Sequence, residues 1–155
     1  MVEPGQPAPD FDLESDTGER VSLSGLRGSP VLLYFYPKDD TSGCTTQACE
    51  IRDSWNDFSK LGAVVLGVSP DGADSHSAFR SKFSLPFPLL VDSDHAVAEA
   101  YGAWGEKKNY GKTYFGIIRS GFVIGPDGTL VAAKRNVKPD KHRDWALAEL
   151  AKLSA

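Results

Sequence analysis

The stretch Val31-Leu-Leu-Tyr-Phe-Tyr-Pro-Lys-Asp-Asp-Thr-Ser-Gly-Cys-Thr-Thr-Gln-Ala-Cys-Glu-Ile-Arg-Asp53 changes its hydrophobic period halfway along. Val31 to Tyr36 is a continuous apolar, β-branched and aromatic run, the pattern of a strand covered on both faces. Pro37 ends the strand and stiffens the turn. From Thr45 onward, Ile51, Trp55 and Phe58 recur at i, i+4 and i+7, which predicts a helix with one apolar stripe. A buried strand therefore runs straight into a helix, with Cys44 at the junction.

That junction is where unpaired backbone N–H groups stabilise a thiolate. Gly43 lets the backbone approach a ligand closely, and Thr41 offers a hydroxyl that both donates and accepts. Cys44 and Cys49 are the only cysteines in the chain. On an intact helix their Cα atoms stand roughly 8.6 Å apart, beyond the ~4.4–6.8 Å a disulfide spans. Either they never bond, or the first turns must unwind. The chemistry that fits is peroxide reduction. A thiolate attacks one peroxide oxygen, and the sulfenic acid condenses with the second thiol. Negative charge develops on the leaving oxygen, so donors must be aimed at it. The N–H groups of Gly43 and Cys44, the Thr41 hydroxyl and an arginine are the candidates.

Working outward, residues 1–10 are proline-rich and expected to lie extended. Asp16-Thr-Gly18 marks a turn between short strands at Phe11 to Leu13 and Arg20 to Leu23. Ala63 to Val68 is a second buried strand. Asp74 is expected to cap a helix running to Phe83, followed by a strand at Leu89 to Val91 and a helix from His95 to Tyr101. Gly102 to Gly116 shows no period and is expected to be irregular, with Lys107, Lys108 and Lys112 in a solvated loop. Strands Ile117 to Ile124 and Thr129 to Asn136 flank the turn Gly125-Pro-Asp-Gly128. The last helix starts near Pro139-Asp140, and Trp55 and Trp145 are read as core. Alternating strands and helices predict parallel pairings, and the late hairpin adds antiparallel ones. The fold class is α/β, a mixed central sheet flanked by helices in the layout of the thioredoxin fold. With 155 residues and no linker, the chain reads as one domain, 1–155.

Net charge is −4, which points to neither nucleic acid nor an anionic membrane surface. No apolar run spans a bilayer. The start has neither a basic nor an apolar signal region, so the expected address is cytoplasmic. In a reducing cytosol a lone cysteine pair reads as catalytic rather than structural.

Pro37-Lys-Asp-Asp-Thr41-Ser-Gly-Cys44 matches the peroxiredoxin signature P-x-x-x-T-x-x-C. With Cys49 five residues on, the chain resembles the Q-type subgroup, also called bacterioferritin comigratory protein. Ala8-Pro-Asp-Phe11, Val68-Ser-Pro-Asp71, Leu85-Pro-Phe-Pro-Leu-Leu90, Trp104-Gly-Glu-Lys-Lys108 and Ile118-Arg119 extend the likeness over nearly the whole chain. The resemblance implies a peroxidatic Cys44 and a resolving Cys49. It implies that Thr41 orients thiolate and peroxide, Arg119 favours the anion, and Pro37 shields the pocket, with Gly43 beside the substrate. It further implies a hydroperoxide substrate, a thioredoxin-type reductant, a monomer, no metal and no organic cofactor. The chain departs from the subgroup at Ser42, usually proline, which implies a looser first helical turn. Gly121 replaces a usual threonine and is expected to weaken local packing, and Gly125 replaces a common aspartate.

Three other readings compete. A thioredoxin-like disulfide reductase shares the fold but needs a CxxC spacing that is absent. A zinc site from Cys44, Cys49, His76, His95 and His142 fits no common ligand spacing; the histidines are expected on solvated helix faces. A chaperone or interaction module would be indifferent to Cys44. Phe83, Phe87 and Phe115 read either as an apolar collar for organic peroxides or as core.

Overall fold

The computed structural model describes residues 1–153, with the Asn109 side chain excepted. The elements run β1 (Asp12–Glu14), β2 (Arg20–Ser22), β3 (Val31–Phe35), α1 (Ser42–Asp53), α2 (Trp55–Lys60), β4 (Val64–Ser69) and α3 (Ala73–Phe83). They continue with β5 (Leu89–Val91), α4 (Ala96–Tyr101), β6 (Trp104–Asn109), β7 (Lys112–Ile117), β8 (Ser120–Ile124), β9 (Leu130–Arg135) and α5 (His142–Leu153). The central sheet has the order β5-β4-β3-β8-β9. β3 pairs parallel with β4 and antiparallel with β8, so the sheet is mixed as expected.

Alternation along β3 builds two apolar layers. Val31, Leu33 and Phe35 join Leu66, Val68, Phe122 and α4 on one face. Leu32 and Tyr34 join Val65, Val123 and residues of α1, α2, α3 and α5 on the other. All five β3 residues are buried, so the strand carries no polar face to water. The turns at Gly18 and Gly128 close with hydrogen bonds to Ser15 and Gly125.

Several elements differ from expectation. The cysteine helix begins at Ser42, not Thr45, and Thr41 is its N-cap residue in an extended conformation. It ends at Asp53, and Trp55 opens a separate helix, so the apolar stripe is carried by two helices around Ser54. Gly72, not Asp74, takes the N-cap position of α3; Asp74 sits in its first turn, where it complements the helix dipole. Trp55 and Trp145 pack on the core but stay partly exposed.

The span expected to be irregular forms a two-stranded antiparallel sheet, β6 with β7, paired from Trp104–Ile117 to Asn109–Lys112. Its two turn residues, Tyr110 and Gly111, both have positive φ, the geometry of a type I′ hairpin. Lys107 is no solvated loop residue: its ammonium donates to the Ile117 carbonyl at 2.8 Å. Burial and the Arg119 charge lower its pKa, against a smaller opposing effect of Cys44.

The histidines also overturn their expectation. His76 and His142 are fully buried, and His95 stacks on Trp104 at 3.6 Å. His142 explains Gly121: a Cβ there would overlap His142 Nε2 and approach Trp145 at 2.7 Å. The strand glycine is a slot that two α5 side chains fill, not a weak point. The three phenylalanines form no collar: Phe87 is core, Phe83 packs edge-on to Phe79, and Phe115 is exposed.

Candidate active site

Both cysteines lie on α1 and both are free. Cys44, in the first turn, is 2% exposed and packs into the core layer under the helices. Cys49, one and a half turns on, is partly exposed. Burial raises the Cys49 pKa, with Arg52 opposing and Asp53 adding to the shift. The two thiols thus differ in environment, one at a helix start and the other further along.

Arg119 comes to Cys44 from the segment between β7 and β8, 75 positions away in sequence. Its Nη1 donates to Cys44 Sγ at 3.4 Å and to Gln47 Oε1 at 2.7 Å. Gln47 lies one turn beyond Cys44 and is 1% exposed, so it fixes the guanidinium from the same helix that carries the thiol. Sequence reasoning missed Gln47; its i+3 spacing from Cys44 was the available signal. Gly43 makes the approach sterically feasible. A Cβ there would stand 3.0 Å from Arg119 Nη2 and 3.2 Å from Pro139 Cγ.

Thr41 is exposed and its hydroxyl donates to the Lys38 carbonyl at 2.9 Å, not to Cys44. Pro37 and Arg119 face a cavity of about 610 Å³ whose other walls include Ile118, Val137, Lys107 and Lys138. The Cys44 side chain is not part of that lining. The structure therefore joins Cys44, Gly43 and Arg119 directly, places Pro37 at the cavity, and leaves Thr41 at the helix cap and Cys49 further along α1. Among the described residues, no group of three or more His, Cys, Asp or Glu is placed to hold a metal. No helix among them is long and apolar enough to cross a membrane.

His142 borders the same centre. Its ring lies 5.3 Å from that of Tyr34, and among the described residues neither ring nitrogen has a hydrogen-bond partner. Burial, reinforced by Arg119, pushes its pKa down to about 3. His142 is thus neutral beside Arg119 when folded, while an unfolded chain protonates it below about 6.5. A depressed histidine pKa favours the folded state above the unfolded value and loses stability as pH falls from about 6.5 towards 3. This group adds a slope of up to about 1.4 kcal/mol per pH unit in that window. Urea midpoints between pH 6.5 and 4.5 are expected to fall more steeply in the wild type than in His142→Gln; equal slopes refute the assignment.

A buried strand entering a cysteine-bearing helix, with an arginine on the thiol, defines a thioredoxin-fold thiol centre. Residues 4–133 match the AhpC/TSA family. The chain is 50% identical over 153 residues to peroxiredoxin Bcp of Bacillus subtilis, covering 99% of this chain and 98% of that one. It is 46% identical over 143 residues to peroxiredoxin Bcp of Escherichia coli K12, covering 92% of each. The Xanthomonas campestris bacterioferritin comigratory protein superposes with a TM-score of 0.91 at 37% identity, over 99% of this chain and all of that one. The chain belongs to the AhpC/TSA family of thiol peroxidases and, within it, to the Q-type peroxiredoxins.

Proposed function

We propose that this peroxidase works through Cys44 and resolves through Cys49, in a single domain covering residues 1–155. The observation that carries the reading is the Arg119 guanidinium held on Cys44 Sγ by Gln47. The Cys44 thiolate attacks the terminal oxygen of ROOH; the S–O bond forms as the O–O bond breaks. RO⁻ leaves, takes a proton and departs as ROH. Arg119 and the N–H groups at the start of α1 stabilise charge on the attacking sulfur and the parting oxygen. Thr41 and Pro37 border the approach, with Gly43 giving backbone access.

The Cys44 sulfenic acid then condenses with the Cys49 thiol, forming the S–S bond and releasing water. A dithiol of the thioredoxin type returns the disulfide to two thiols. Organic hydroperoxides join hydrogen peroxide as substrates in this reading; the Xanthomonas campestris relative is described in terms of alkyl peroxide reduction. The proposed setting is a cytoplasmic monomer.

The test is a coupled assay with thioredoxin and its reductase, comparing hydrogen peroxide with an alkyl hydroperoxide. Sustained reductant consumption with both is expected. Turnover of a disulfide substrate without peroxide, and none with it, sinks the reading in favour of a disulfide reductase.

A further inference from the structure

We propose that Asp39, Ser75 and His76 are positioning residues for the peroxidase reaction, a buried bracket that fixes the loop leading through Thr41 into the first turn of α1, which carries Cys44. The inference rests on Cys44 being the reacting thiol.

Asp39 sits between β3 and α1 and is only 8% exposed. Its carboxylate oxygens are tied to Tyr36 Oη at 2.5 Å, Ser75 Oγ at 2.8 Å and His76 Nδ1 at 2.6 Å. Its own backbone N–H donates to Asp71 Oδ2 at 2.7 Å. The far side of the His76 ring, Nε2, lies 2.8 Å from the Leu90 carbonyl oxygen. One loop residue is thus pinned through main chain and side chain to the end of β3, the start of α3 and β5. Burial opposes ionisation of Asp39, but the hydrogen bonds and charge around it outweigh that and keep its pKa low.

The bracket has something to hold. Asp40 follows with φ 59°, a left-handed conformation that an aspartate adopts only at some cost. Thr41 then swings to an extended conformation, and Cys44 is three residues on. α3 also reaches Asp40 through Lys82 at 2.8 Å, an exposed pair of small energetic weight. No residue of α1 belongs to the bracket. Unwinding of α1 to form the disulfide therefore requires none of the bracket's hydrogen bonds to break.

A purely structural role predicts lower stability and nothing more. A positioning role predicts a selective loss, because peroxide attack needs donors placed on the parting oxygen, whereas alkylation of the same thiol does not. The experiment compares two rate constants at Cys44 of the reduced protein, one with hydrogen peroxide and one with iodoacetamide, resolved from Cys49 by mass spectrometry. Asp39→Asn and His76→Gln are expected to lower the ratio of peroxide to iodoacetamide reactivity by about tenfold or more. Ser75→Ala removes one donor and keeps the Asp39–His76 contact, so a drop of about two- to fivefold is expected; it decides the matter if the other variants do not fold. Rate constants that fall together, or a ratio unchanged in Ser75→Ala, overturn the proposal. A wild-type Cys44 inert to peroxide overturns the peroxidase reading itself.

Discussion

Cys44→Ser is expected to reduce peroxide consumption to the level of buffer. The substitution is nearly isosteric at a position 2% exposed, so the fold is expected to persist, and the serine hydroxyl can still accept from Arg119. What vanishes is the nucleophile: an alkoxide is not available near neutral pH, and oxygen cannot form the sulfenic intermediate. Cys49 does not substitute for it. Burial raises its pKa, which keeps it in the less reactive thiol form, and it lacks the first-turn position and the Arg119 contact. Peroxide remaining is followed by ferrous oxidation, and circular dichroism verifies the fold. Wild-type consumption by the folded variant would falsify the assignment of Cys44 and revive the reading of a module indifferent to that thiol.

The parts of this site legible in sequence were those encoded locally. Val31 to Tyr36 announced a doubly buried strand because every side chain was apolar, and the turn-like residues before Cys44 marked a helix start. Arg119 was different. Nothing in its own neighbourhood marks it, since a strand arginine looks like a surface charge; only the likeness to a family put it beside Cys44. Long-range partners with no local signature were lost altogether. His76 and His142 looked like solvated helix residues because their burial depends on Asp39 in one case and on the empty slot at Gly121 in the other. The β6–β7 pair was missed because β6 is mostly polar after Trp104 and the aromatic residues of β7 are exposed outside the central sheet, so no apolar alternation reports the strands.

Cys49→Ser is expected to consume one equivalent of peroxide per chain and then stop, with no sustained oxidation of thioredoxin. The sulfenic acid forms without the second thiol, but no intramolecular disulfide follows. Normal cycling with thioredoxin alone removes Cys49 from the mechanism. The same residue carries a conformational requirement. With both cysteines inside Ser42–Asp53, the roughly 8.6 Å helical separation exceeds what a disulfide bridges. Closing it must undo the turns that bury Gln47 and Ala48, while Ile51, fully buried further along, remains as an anchor. Unwinding is expected also to pull Gln47 from Arg119, which then loses its 2.7 Å tether and its placement on Cys44 Sγ. Oxidation is thus expected to dismantle the site, and reduction to rebuild it. Amide exchange across residues 44–52 is therefore expected to accelerate in the oxidised wild type and to keep its reduced-state protection in peroxide-treated Cys49→Ser. Equal protection in oxidised and reduced wild type contradicts the coupling between helix and thiols.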